Sequence, residues 1–445
     1  MEEFKVTLLS CTENPQTLSV AGALGCFEEQ SSVQIMRELQ ALSVEDRLKK
    51  EKGVLKNSFG RGHGSVGDQN AFVFSIENLP RAATFQLCLP EYLSHLQQSL
   101  RRAKADRGFY LPEVIKKSKL GQKTQETLAK GFDLYGRMTE AGIPGEDARF
   151  PLSLYTKTNI QTITDARELC HAWKMSQGEK VPSVVRAVVN EMLALAKAKA
   201  PYLFEDFGFN YQTISWLPSA QLYSSSNHLI SQLVSSSGNG QDVALISKPA
   251  SSLNDLVDQD LVERAVRGDE TELANLKKIH FEFLIKMSLA CLHQAIRQRT
   301  WDHSLESIYE AVITAAVVKE KRMALPASIR DSAFAADYRK QHQDIIDLYL
   351  ELIKSGIPIG EAIGVIPHSL QIYTLVHING WNAIHAIGQR TCTEAQWEIR
   401  HLSRQIAQII KKEMPALGKW CEPQCIALGQ CPEIKDCGYY KKKPV

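Results

Sequence analysis

Two polar segments and a run of cysteines mark where this chain could do chemistry. Gly62-His63-Gly64-Ser65-Val66 sets an imidazole and a hydroxyl between glycines. Glycine lets backbone amides and short polar groups come close to a phosphate or a flat ring, although a glycine-rich turn with a surface His accounts for the same residues. Arg297-Gln298-Arg299 places two guanidiniums around an amide, giving forked donors suited to phosphate and to the polar edge of a heterocycle; the alternative is a solvated helix face. Cys421, Cys425, Cys431 and Cys437 lie within 17 residues (421 to 437), with Pro423, Gly429 and Pro432 between them and Gly438 directly after. Those turns would let four thiolates surround one tetrahedral metal or one cubane cluster. Their spacing fits neither a zinc knuckle nor a ferredoxin run, and free thiols or paired disulfides are the alternative.

The elements that must position these residues come in two copies. Gly142-Ile143-Pro144 recurs as Gly356-Ile357-Pro358, and Lys197 followed by Pro201 recurs as Lys411 followed by Pro415, both at an offset of 214 (356 − 142 and 411 − 197). Phe72-Val73-Phe74 is echoed by Phe281-Glu282-Phe283, and Val6-Thr7-Leu8-Leu9-Ser10 by Val243-Ala244-Leu245-Ile246-Ser247. Landmarks repeating in one order signal internal duplication. Val6 to Phe72 spans 66 residues and Val243 to Phe281 spans 38, so the second copy is shorter by 28 (66 − 38). Gln86 to Arg102 and Gln294 to Glu310 read as two diverged copies of one motif. Each keeps the part the other has lost, which suggests one working site built from two halves.

At 445 residues, 44% hydrophobic and 23% charged, the chain can bury two ordinary cores of about 200 residues each. A net charge of +2 argues neither for nor against an anionic partner. No apolar run reaches the roughly 18 residues of a membrane span and the N-terminus lacks a signal-peptide pattern, so a soluble, cytoplasmic protein without membrane or nucleic-acid partners is expected. Cys11, Cys26, Cys88, Cys170, Cys291 and Cys392 are scattered, as suits reduced thiols. Ser224 to Gly240 is rich in Ser, Asn and Gly and reads as a linker without a regular element. Val184, Val185, Val188, Val189, Met192 and Leu195 form one helical apolar stripe; Leu402, Ile406, Ile409 and Ile410 form its counterpart. Phe72 to Ile76 and Lys5 to Leu9 read as strands, and the class is α+β.

Gly62 through Phe74 to Gln86, followed by Ser94, Gln97, Ser99 and Arg101, resembles the flavin-dependent thymidylate synthase family. Its signature reads RHRxxSxNExSxRY after a Gly-His-x-Ser/Thr segment. In the first copy, residues 89–102 read LPEYLSHLQQSLRR: Ser94, Ser99 and Arg101 match, Gln97 replaces Glu, and Leu89-Pro90-Glu91 replaces Arg-His-Arg. In the second copy, residues 297–310 read RQRTWDHSLESIYE: Arg297, Arg299 and Ser307 match, Gln298 replaces His, and Leu305, Tyr309 and Glu310 depart from Glu, Arg and Tyr. Downstream, Gly388-Gln389-Arg390 and Ala395-Gln396-Trp397-Glu398-Ile399-Arg400 resemble the family's substrate-binding Asn-Leu-Arg and the helix that follows. Pro151 to Lys157 resembles Pro-Leu-Asn-Leu-Tyr-Thr-Arg, but no counterpart of Arg390 occurs near Ser176. The likeness runs through both copies to about Trp420.

The resemblance implies two fused copies of that fold, helix-rich with a small mixed sheet in each: a first module over 1–216, a linker over 217–240, a shortened second module over 241–420 and a cysteine-rich tail over 421–445. It implies reductive methylation of dUMP with FAD, NADPH and methylenetetrahydrofolate, in a homodimer that forms a pseudo-tetramer. His63, Ser65, Arg297, Gln298 and Arg299 would then hold the flavin, and Gln97, Ser99 and Arg101 the nucleotide phosphate. Arg390 would bind the pyrimidine and polarise its carbonyl, a fixed cation beside developing negative charge. No protein nucleophile is needed, and Cys88 reads as a small core residue. Beside a flavin, an iron–sulfur cluster in the tail is favoured over zinc by analogy. The replacements at Gln298 and Gln97 keep two alternatives open: a flavoenzyme acting on another pyrimidine nucleotide, and a non-catalytic flavin- or nucleotide-binding homologue.

Overall fold

The computed structural model of the chain describes residues 4–205, 218–237, 240–434 and 436–439. They form two compact units: Met1–Ser219 with Ser328–Pro367, and Ala220–Ala327 with His368–Val445.

In the first unit, strands β1 (Lys5–Cys11), β2 (Phe72–Pro80), β3 (Ser94–Gln97) and β4 (Lys157–Thr164) form a sheet in the order β1-β2-β4-β3, antiparallel throughout. Alternate side chains of a strand point to opposite faces. Phe72, Phe74 and Ile76 are accordingly fully buried while Val73 and Ser75 are not. The helix Ser183–Lys199 covers that apolar face with Val184, Val185, Val188, Val189 and Met192, all buried. Leu195, at the end of the expected stripe, is only half-buried.

The helix Gly121–Glu140 packs against the helix Ala335–Lys354. These two are counterparts in the repeat, since both their first and last residues lie 214 apart (335 − 121 and 354 − 140). They run antiparallel, with Lys123 paired to Glu351 and Arg137 to Asp337 near opposite ends. Between those pairs Gln341 donates to the Thr127 carbonyl at 2.9 Å, and a Cβ on Gly131 would stand 3.2 Å from the Gln341 amide. The strand bridge Ser153–Pro367 also joins repeat counterparts (367 − 153 is 214). One copy thus lends a helix and a loop to pair with their own equivalents, as a surface that pairs with itself requires.

In the second unit, β5 (Val243–Ser247), β6 (His280–Ser288), β7 (Asp302–Leu305) and β8 (Gln371–Asn379) repeat the same order, β5-β6-β8-β7, again antiparallel. The helix Trp397–Glu413 lies on β5 and β6, with Ile399, Leu402, Ile406 and Ile410 buried. Glu306 and Arg322 form a buried two-pronged ion pair, both bonds 2.8 Å, and the Arg322 guanidinium lies 4.6 Å from the Tyr373 ring centre.

The serine-rich stretch expected to be an unstructured linker contains the helix His228–Ser237. Ile230 is fully buried against Leu284 and Tyr373, with Leu233 and Val234 packed beside it. Burying such a side chain contributes about 1.5–3 kcal/mol, and Ser231, Ser235 and Ser236 turn their hydroxyls back onto carbonyls four residues earlier. Three apolar side chains, one of them fully buried, hold a helix whose composition reads as coil.

Candidate functional site

The same backbone frame stands behind the motif in each unit. After β2, the amides of Arg81 and Ala82 bond the carbonyls of Thr156 and Leu154 at 3.0 and 2.7 Å; after β6, the amides of Leu289 and Ala290 bond those of Leu370 and His368 at 2.9 and 3.1 Å. Each frame leads through a seven-residue helix, Arg81–Leu87 or Leu289–Ala295, into a turn and a short strand. The two motif copies therefore occupy equivalent places.

In the second unit the turn after Leu289–Ala295 carries Arg297 and Gln298, half-buried, and Arg299, exposed. Gln298 donates its backbone amide to the Ala295 carbonyl at 2.9 Å. The next residue, Thr300, is tied to Asn382: its carbonyl accepts the Asn382 side-chain amide at 2.8 Å, and its hydroxyl bonds the amide oxygen. Asn382 lies in the first turn of the helix Gly380–Arg390, which Asn379 caps by accepting the Asn382 backbone N–H at 2.9 Å. That single helix fixes both candidate groups. Arg390 is its last residue, half-buried, and stands ~12 Å along the axis from Asn382 at about 1.5 Å rise per residue. The arrangement presents an amide between two cations at one end and a third cation at the other, suited to an anionic ligand with a polar ring.

The first copy shows what was lost. Its counterpart helix Ala166–Ser176 starts and ends 214 residues before Gly380–Arg390 (380 − 166 and 390 − 176). Asp165 caps it, accepting from the Glu168 amide at 2.8 Å. At the position of Arg390 stands Ser176, fully buried and donating to the Trp173 carbonyl at 2.7 Å. Burial raises the Asp165 pKa to about 6, with Asp68 and Glu168 adding to the shift and the cap hydrogen bond and Arg167 opposing it. A carboxyl and a hydroxyl replace an amide and a guanidinium.

The residues expected from the first copy are all near the surface. His63 and Ser65 are exposed on a segment anchored by buried Phe59 and Val66. Gly62 takes φ +104°, a left-handed conformation open to glycine. A Cβ on Gly67 would meet the Phe59 ring at 2.6 Å, so this glycine permits the close packing beneath. Gln97 ends β3 and donates to the Thr84 hydroxyl at 3.0 Å. The exposed Ser99 accepts the Arg101 backbone N–H at 3.2 Å, and the Arg101 side chain donates to Glu146 at 2.7 Å. A phosphate at Arg101 would have to share that guanidinium with a carboxylate.

Several matching residues turn out to hold the frame. Ser307 is buried and donates to the Ser224 carbonyl at 2.7 Å. Glu398, unremarked in the sequence beyond its place in the helix signature, is buried and accepts from the Ser288 amide at 2.8 Å and from its hydroxyl. Gln396 caps the helix Trp397–Glu413.

The expected metal quartet is not assembled. Among the described residues no group of three or more His, Cys, Asp or Glu side chains stands ready to hold a metal ion. Cys421 is buried, donates to the Leu417 carbonyl at 3.5 Å, and lines a cavity of about 290 Å³ with Thr391, Arg404, Gln408, Lys411 and Tyr439. Burial pushes its thiol well above the usual range. Among the described residues none of the ten cysteines forms a disulfide, and no helix is long and apolar enough to cross a membrane.

A family model described as thymidylate synthase complementing protein matches residues 7–202 and again 223–416. The flavin-dependent thymidylate synthase of Geobacter sulfurreducens is 32% identical over 209 residues, covering 46% of this chain and 87% of that protein. The one from Pyrococcus furiosus is 31% identical over 196 residues, covering 42% and 77%. Among solved structures, the UMP/dUMP methylase PolB from Streptomyces cacaoi is 15% identical with a TM-score of 0.39, covering 46% of this chain and 95% of its own.

Proposed function

The chain belongs to the thymidylate synthase complementing protein family, carrying the family's domain twice, and from that membership we propose that it is an FAD-dependent enzyme that methylates dUMP reductively, with NADPH and methylenetetrahydrofolate. The observation that carries this reading is the second unit's frame, where Arg297, Gln298 and Arg299 are tied through Thr300 and Asn382 to the helix ending in Arg390. FAD, when bound, supplies the redox chemistry. The chain's own part is to bind and orient. Arg297 and Arg299 offer forked donors to a phosphate, Gln298 offers donor and acceptor to a ring edge, and Arg390 places a fixed cation beside the pyrimidine carbonyl. His63 and Ser65 serve the flavin and Gln97, Ser99 and Arg101 the nucleotide phosphate, in a dimer of the chain. Gln298 and Gln97, where the family has His and Glu, favour a second reading in which the pyrimidine nucleotide differs.

The test is FAD uptake and dUMP methylation by the full chain, with Arg390→Ala and Arg299→Ala beside it. Loss of one positioned charged donor costs about 10²–10³ in rate; Arg390→Ala should lose that much turnover yet retain FAD, and Arg299→Ala should weaken FAD binding. A wild-type chain that takes up no FAD would overturn the proposal. One that takes it up and turns over UMP but not dUMP would establish the second reading.

A further inference from the structure

The cavity of about 290 Å³ that Cys421 lines is bounded along the helix Trp397–Glu413 by Arg404, Ala407, Gln408 and Lys411. These four are spaced i, i+3, i+4 and i+7, one stripe of an α-helix. Thr391, Gly418 and Cys421 form the buried part of the lining. A Cβ on Gly418 would lie 2.2 Å from the Lys411 Cα, so only glycine lets the turn Pro415–Gly418 press on the long helix. Arg404 and Lys411 are exposed, and among the described residues neither has a hydrogen bond or an ion pair. Arg400, one turn earlier, is by contrast committed to the Thr393 carbonyl at 2.6 Å. With the half-buried Glu422 the lining holds two cations and one carboxylate, a net positive charge.

We propose that this cavity binds a small organic phosphate, its charged end held by Arg404 and Lys411 and its carbon body by Ala407, Pro423 and Tyr439. A guanidinium fork matches a phosphate with two parallel bonds, and an ammonium adds a point charge. Seven residues of helix separate the two cations by about 10 Å along the axis, a span that two long side chains close by converging on one phosphate. Gln408 between them adds an amide donor. A volume of about 290 Å³ lies at the lower end of the roughly 300–1,000 Å³ usual for ligand pockets, which keeps the occupant small. Arg297, Gln298, Arg299 and Arg390 are all absent from the lining, so the cavity is separate from the site proposed for flavin and nucleotide. It is nonetheless coupled to it through Thr391, which directly follows Arg390 and bonds the Ile387 carbonyl at 2.8 Å. A phosphate held here braces the helix end that carries Arg390.

The test is calorimetric titration of the full chain with phenyl phosphate, inorganic phosphate and phenylacetate. Phenyl phosphate should bind more tightly than either of the others, and less tightly as salt rises. Arg404→Gln and Lys411→Gln should each weaken it about tenfold or more, the loss of one charge-assisted hydrogen bond. Lys412→Gln, next along the helix and outside the lining, should leave it unchanged. All three side chains are exposed, so the fold should survive each change. A second reading needs no variant: phenyl phosphate should slow the modification of Cys421 by a small thiol reagent, followed by mass spectrometry, and leave the exposed Cys26 as reactive as before. A wild type that binds no phenyl phosphate overturns the proposal, and so does binding that Arg404→Gln and Lys411→Gln leave unchanged. Phenylacetate binding as tightly as phenyl phosphate overturns the choice of phosphate.

Discussion

Asp165→Asn should stabilise the protein at neutral pH and do little in acid. Asp165 and Asn379 are repeat counterparts (379 − 165 is 214), and each caps its helix through one side-chain oxygen, at 2.8 and 2.9 Å. Asparagine therefore keeps the cap and removes the ionisation. Burial raises the folded carboxyl from 3.8 to about 6. An unfolded chain loses this proton near 3.8 while the folded chain keeps it, so the group's contribution to stability is full below 3.8, falls as pH rises, and is gone above about 6. At about 1.4 kcal/mol per unit, a shift of roughly two units sets a ceiling of about 3 kcal/mol on the charge penalty at pH 7 and above. The assay is urea unfolding of wild type and variant at about pH 4.5 and 7.5. The variant should gain about 1–3 kcal/mol at the higher pH and much less at the lower. An equal effect at both pH values, or a larger gain in acid, refutes the reasoning.

Two further tests probe the second unit. Arg322→Met leaves the Glu306 carboxylate buried without its two 2.8 Å bonds and should cost about 3–5 kcal/mol; adding Glu306→Leu should recover much of the loss, as read from urea midpoints. Ile230→Ala should cost about 2–4 kcal/mol, the range for a buried aliphatic truncation, and should raise hydrogen exchange in the helix His228–Ser237. A solvated linker would show neither change.

The parts of the fold that were legible in the sequence are those in which one residue's neighbours in space are set by local period. The stripes from Val184 to Met192 and from Leu402 to Ile410 alternate as helices must, and the structure buries nearly all of each. The counterpart of Arg390 was sought near Ser176 by counting, and the helix end is there. Composition misled where a few side chains decide. Ser224 to Gly240 reads as coil because its many serines bury little, yet Ile230, with Leu233 and Val234 beside it, anchors a helix. The cysteines failed for a different reason. Nearness along the chain grouped the four, while the fold buries Cys421 on the Leu417 carbonyl, sets Cys437 against Thr393 and, among the described residues, assembles no group that could hold a metal ion. No local period reports a contact made by a returning tail.

The two copies separate what holds this fold from what would make it act. Both keep the paired amide-to-carbonyl bonds behind the motif, an N-cap acceptor at Asp165 or Asn379, and an eleven-residue helix behind it. None of these depends on which side chain ends the helix. Ser176 satisfies itself on the Trp173 carbonyl and is fully buried, whereas a guanidinium there would need a charge partner or water. Burial of Ser176 and Asp165 thus makes the first copy's helix a structural element, and reinstalling the arginine as Ser176→Arg would strain the core before it restored a site. The half-buried Arg390 carries the opposite compromise, holding a charge at a helix C-terminus where the helix dipole favours it. A half-buried cation ending one copy's helix and a sealed hydroxyl ending the other's share a single backbone plan, so likeness of fold does not by itself say where activity resides.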